Sequence, residues 1–199
     1  MEKVEKLFLT FILGMESRSA IFNEGEQLEK IISLDILKSY RLPDEFKQLY
    51  TVRNGLKNYP EAQQIDPPLE NLGYFLSIEF ADSVYQKLKS EEKIPKHLYP
   101  IFDFTGNGDY LLIALDQHQD DYGMVYMYSP SQPQLASTNH LVTAYDSIES
   151  MLDTLEELID KELSLSYLIT GSVDDFRAKM LAEREVCKNR NPKSKYWQL

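Results

Sequence analysis

Four groups of residues have types and spacings that invite a chemical reading. Gly106-Asn107-Gly108-Asp109 has the glycine spacing of a phosphate-cradling turn. A P-loop ends in Gly-Lys-Ser/Thr and feeds a helix whose N-terminus faces the phosphates, and neither follows here. The turn reads instead as a place where glycine supplies positive φ ahead of a strand. Asp116-Gln117-His118-Gln119-Asp120-Asp121 sets oxygen ligands around a turn, as a divalent cation needs. It lacks both the mid-loop glycine and the closing bidentate glutamate of a calcium loop, so a solvated hairpin loop or a partner-facing acidic loop is expected. His97, His118 and His140 are far apart and have no cysteine beside them. Cys187 is the one thiol, which excludes an internal disulfide and nearly excludes a Cys/His zinc site. No serine or cysteine stands in a nucleophile signature. The expectation is no catalytic residue, no metal and no cofactor.

What remains is charge and aromatic content. The chain has 199 residues, 43% hydrophobic and 27% charged, an ordinary globular balance for one core. Its net charge is −11, unevenly spread: residues 1–170 hold 28 acids and 14 bases (−14), and residues 171–199 hold 4 acids and 7 bases (+3). A body this acidic repels phosphate backbones and anionic membranes, so direct nucleic-acid or membrane binding is not expected. It suits a basic protein partner, although solubility alone also accounts for it. Asp103, Asp109, Asp116, Asp120 and Asp121 flank the apolar run 110–115 and its loops. Tyr126 and Tyr128 alternate onto one face of the next strand. These seven are the candidate partner-binding residues, since aromatic centres with polar neighbours are a common interface composition. Packing is the competing use of the tyrosines.

The elements that must position them read as follows. Val4, Leu7, Phe8, Phe11 and Ile12 share one helical face, and Glu2 and Glu5 spoil a signal peptide, so 1–21 is expected to hold a docked amphipathic helix. A helix is predicted over 24–40, another from Pro43 to Asn54-Gly55, and a long loop over 56–71. Then come a strand over 73–80, a helix over 81–92, and a central strand over 110–115 covered on both sides. A return strand over 123–130 and a third strand near 140–144 complete the meander. Asp146 with Glu149 is expected to cap a helix striped by Ile148, Met151, Leu152, Leu155, Leu158 and Ile159. A weaker helix covers 173–188, and Tyr196 and Trp197 are placed to dock an otherwise loose end. The class is α+β: a single antiparallel sheet covered by helices, with N- and C-terminal helical extensions.

In that order the motifs resemble the SUKH superfamily, or SMI/KNR-type domain. They are Leu42-Pro43-Asp44-Glu45-Phe46 to Asn54-Gly55; Pro100-Ile101-Phe102-Asp103; Gly106 to Asp109 with the strand to Asp116; Gly123 to Tyr128; and the Leu-rich helix 147–159. The resemblance covers 22–162, between the helix of 1–21 and a helical extension with a basic tail over 163–199. It implies binding and not catalysis. Bacterial members look like immunity proteins that neutralise a toxin by direct contact, and fungal members look like regulators of cell-wall synthesis. The implied role is a cytoplasmic immunity protein, a monomer or weak dimer, with a basic partner that is a toxin and, in one version, a nuclease. The alternative is a regulatory scaffold holding another cytoplasmic protein.

Overall fold

The computed structural model describes residues 22–57, 73–104, 106, 108–163 and 173–198. The amphipathic helix expected over 1–21 and most of the loop expected over 56–71 lie outside them. The expected α+β class and antiparallel sheet are present. Strands β3 (Tyr74–Phe75), β4 (Leu98–Asp103), β5 (Tyr110–Ala114), β6 (Val125–Tyr128) and β7 (Leu141–Tyr145) form one antiparallel meander in chain order. In β5 every residue except Tyr110 is buried, as its continuous apolar run requires. Leu112 faces Pro100 on one side and Tyr126 on the other. A bulge follows Pro100, at the residue that cannot donate to the ladder.

A two-stranded sheet of β1 (Phe22–Glu24) and β2 (Arg53–Leu56) lies at the other end of the described chain. Among the described residues, six α-helices accompany the sheets: α1 (Leu28–Ile31), α2 (Asp35–Lys38), α3 (Asp44–Val52), α4 (Ile78–Ser90), α5 (Ile148–Asp160) and α6 (Val173–Arg190). Aromatic rings join helix to sheet. Phe46 of α3 packs on Tyr50 and Tyr99, Tyr50 on Phe75, and Phe75 on Phe102, with centroids 4.9–5.9 Å apart.

Four sequence expectations need correction. The helix over 24–40 is β1 followed by two one-turn helices. Leu34 takes an extended ψ of 135°, and the Ser33 and Ser39 hydroxyls donate to the Lys30 and Asp35 carbonyls, competing with helix continuation. The strand over 73–80 is only Tyr74–Phe75, because Ser77 accepts from the Phe80 N–H and starts α4 three residues early. Asn54-Gly55 follows the end of α3 but belongs to β2. Gly55 has φ +67°, and a Cβ there would sit 2.1 Å from the Ser77 nitrogen. Finally, α5 is capped by Ser147 and Ser150 in a reciprocal box, not by Asp146 and Glu149. The Asp146 carboxylate instead accepts from the Lys193 N–H.

The stripe of α5 is buried as expected except for Ile159, which is 42% exposed. Each buried leucine, isoleucine or methionine there contributes roughly 2 kcal/mol of burial. The chain end docks on β7. Lys195 N–H and Ser194 Oγ donate to the Thr143 carbonyl, and Trp197 Nε1 donates to Ala144 O at 2.7 Å. These bonds cover part of an edge strand that would otherwise present open backbone groups.

Candidate functional site

The seven candidate residues fall into two sets with different surroundings. Asp103 and Asp109 flank the β4–β5 turn and are 3% and 1% exposed. Asp103 Oδ1 accepts from the Gly106 N–H at 2.6 Å, which closes the turn. Asp109 accepts from both the N–H and the hydroxyl of Ser131, across from the β6–β7 connection. Tyr128 is 4% exposed, and burial pushes its phenol up. Tyr110 beside them is raised to about 12, first by burial and then by the Asp103 charge. The carboxylates of Asp103 and Asp109 point inward and are satisfied by the protein itself, so the surface set does not contain them. The signal missed was Ser131, whose pairing with Asp109 spans 22 residues.

The other set surrounds the β5–β6 loop. Asp120 is exposed, and Asp116, Asp121 and Tyr126 are half-buried. Asp116 Oδ1 accepts from the His118 N–H, and the Asp121 carbonyl accepts from the Met124 N–H, so the loop is a series of closed turns. Gly123, at φ +81°, returns the chain to β6. Asp121 Oδ2 lies 2.6 Å from the Tyr126 hydroxyl, which donates to it, and 3.3 Å from His97 Nε2. Burial, and then this bond, push the Tyr126 phenol well above its ordinary range. Asp121 Oδ1 is buried and has no hydrogen-bond donor among the described residues. The structure thus brings Asp121 and Tyr126 together with His97, a residue that sequence spacing had left isolated.

Long-range contacts fix the loop. Tyr122 donates its hydroxyl to the Arg41 carbonyl at 2.6 Å, and Gln117 Oε1 accepts from the Arg41 N–H at 3.1 Å. These bonds put the loop on the rim of a groove of about 1050 Å³ that runs to the first turns of α3 and α5. Arg41, Asp44, Glu45, Lys47, Gln117, Tyr122 and Glu149 line it. Asp44 pairs with Lys47, which holds its carboxyl below the usual range. The wider electrostatics follow from the sequence. Between Lys96 and Lys161 there are eleven Asp and Glu and no Lys or Arg. That stretch contains the loop and the outer face of α5, where Glu156 and Asp160 are exposed. Exposed carboxylates in excess on these elements attract cationic surfaces at long range, although Lys161 and Arg190 pair with Glu157 on α5.

One ion cluster elsewhere is explained by structure. Lys30 bonds Glu26 and Glu79 at 2.5 and 2.6 Å, which raises its ammonium to about 12 and lowers both carboxyls. Asn54 joins both acids and accepts from the Ile78 N–H at 2.8 Å, fastening β2 to the start of α4. Among the described residues, no three His, Cys, Asp or Glu side chains group as metal ligands. No described helix is long and apolar enough to cross a membrane.

Compared with known families, the chain matches SMI1/KNR4 over residues 29–161. It belongs to the SMI1/KNR4 family (SUKH-1). The match takes in the meander, α2 to α5 and α1 from its second residue, and ends before α6. The SUKH-1 family includes immunity proteins and is in general made of non-enzymatic immunity or regulatory domains that bind partner proteins. No curated protein matches the chain.

Proposed function

We propose that this SUKH-1 protein is an immunity protein that binds a cognate toxin in the cytoplasm and blocks it without chemistry of its own. The observation that carries the reading is the β5–β6 loop. It is tied to Arg41 at two points, its Gln117 and Tyr122 line the groove, and it carries Asp116 and Asp120 in the same turn series. A loop ordered before binding loses little entropy on association, and its charge steers a basic partner to it. The acidic stretch between Lys96 and Lys161 extends the same sign over α5. A nuclease is a suitable partner class, because surface carboxylates occupy a phosphate-binding cleft much as nucleic acid does. The partner-facing residues in this reading are Asp116, Asp120 and Asp121 with Tyr126. Asp103, Asp109 and Tyr128 support them from inside the fold.

The test is co-expression with the toxin encoded beside this gene, followed by gel filtration. Growth rescue and a stable complex are expected. Reversing Asp116 and Asp120 to Lys should slow association about tenfold at low salt and less at high salt. Failure to rescue growth, with no complex formed, would sink the immunity reading and leave the regulatory alternative. A complex indifferent to the double reversal would move the contact surface elsewhere.

A further inference from the structure

The family match ends before α6, yet α6 and the chain end build a second cavity. It has a volume of about 690 Å³, in the range of small-molecule sites. Its walls are aromatic: Phe104, Tyr145, Tyr196 and Trp197, with Met127 and Met180 filling between. Tyr196 and Trp197 meet at 79° with centroids 4.7 Å apart, and Tyr145 stands at 62° to Trp197 at 6.0 Å. The rings therefore form a corner and not a stack. Trp197 is held in place from both sides: its Nε1 donates to Ala144 O, and its carbonyl accepts from Arg184 Nε at 3.2 Å.

One acid opens into this corner. Glu183 lies half-buried on the cavity wall and has no hydrogen bond or ion pair with any described residue. Arg184 is its chain neighbour, but the Arg184 Nε is engaged by the Trp197 carbonyl. Burial pushes the Glu183 carboxyl above its ordinary range, as expected of an acid without a partner. A partly buried carboxylate that shares a cavity with π-rings and has no ion pair among the described residues leaves room for a cationic partner.

We propose that this cavity binds an alkylammonium group, with Glu183 as its counter-ion and the rings of Tyr145, Tyr196 and Trp197 as its walls. Ring faces attract a cation through their quadrupoles, and methyl or methylene groups fill the space between them. An anion would meet the carboxylate. A divalent metal would need several oxygen or nitrogen ligands, and among the described residues Glu183 is the only carboxylate on this wall. The inference does not depend on the immunity reading, because it concerns a different face and a ligand that need not be a toxin.

Ligand and proton compete for Glu183. The other titratable or charged groups facing the cavity are Tyr145, Tyr196, Cys187 and Arg184. Burial raises both the Tyr145 phenol and the Cys187 thiol well above their ordinary ranges, so they stay neutral. Glu183 is thus the group whose charge changes between acid and neutral pH.

Trp197 is the sole tryptophan of the chain, so its fluorescence reports the site directly. The full-length protein is titrated with choline, with N-acetyl-lysine methylamide, and with dimethylbutanol as the neutral analogue of choline. A saturable change with at least one cation is expected, with the alcohol about tenfold weaker. The tighter cation names the source, a free quaternary amine or a lysine side chain. Glu183→Gln should weaken cation binding about tenfold while leaving the thermal melt cooperative. In the unsubstituted protein, binding should weaken as pH falls through the Glu183 titration, a readout that needs no variant. No saturable response to either cation would overturn the proposal. So would an alcohol that binds as tightly as choline, or cation affinity indifferent to pH.

Discussion

The central strand β5 has aspartates at both ends, and the two ends have opposite fates. At its start, Asp109 and the neighbouring Asp103 are almost fully enclosed and accept from Ser131 and Gly106. At its finish, Asp116 and Asp120 sit on a loop that reaches solvent while its Gln117 and Tyr122 side chains are fastened to the backbone of Arg41. The residue type and the proximity to the strand are the same. The difference is the supply of donors: the turn at 103–109 folds under the β6–β7 connection, and the loop at 116–121 overhangs a groove. A carboxylate beside a buried strand is therefore structural or partner-facing according to what lies across from it.

Asp109→Ala is the hardest test of that contrast. Removing it deletes two hydrogen bonds from the exposed Ser131 to a carboxylate that is itself 1% exposed, and a loss of about 2 kcal/mol in urea denaturation is expected. A loss below about 1 kcal/mol would erase the distinction between the two ends. Tyr126→Phe comes next. It deletes the bond to Asp121 and should cost about 1 kcal/mol, with the loop amides near Asp121 exchanging faster by hydrogen exchange. Unchanged exchange would mean that the turns alone hold the loop.

A smaller effect comes from the chain-end cavity. The raised Glu183 carboxyl resists ionisation more in the folded chain than in the unfolded one. Its contribution to stability is therefore present below its ordinary value of 4.5 and lost as pH rises through the raised one. Glu183→Gln should flatten that part of the stability profile and leave the neutral-pH melt equal or higher. A steeper loss in the variant would mean that the carboxylate has a stabilising partner. The smallest effect is Asp120→Ala, which should change stability by no more than about 0.5 kcal/mol, since the side chain is exposed. A larger cost would make the loop structural like the turn at the opposite end.

Much of the architecture was legible because period and punctuation are local. The apolar run 110–115 announced a covered central strand, the spacing from Ile148 to Leu158 announced α5, and Gly123 announced the return into β6. The errors came where a short polar side chain outbid the periodic pattern. Ser33 and Ser39 divided a helix, Ser77 shortened a strand, and Ser147 took the cap from Asp146. Serine offers the backbone a local alternative at little entropic cost, and apolar periodicity does not register it.

The chain's composition and order were enough to determine an acidic α+β protein, because burial patterns and net charge are sums over neighbours in sequence, and its motifs in order resemble the SUKH superfamily. Tertiary structure alone decided which aspartates face outward, that His97 meets Asp121, and that Glu183 lines one cavity with Tyr145, Tyr196 and Trp197. The partners are separated in the chain, His97 and Asp121 by 24 residues, and an electrostatic or hydrogen-bonding environment depends on distance in space, which the order of residues does not encode locally.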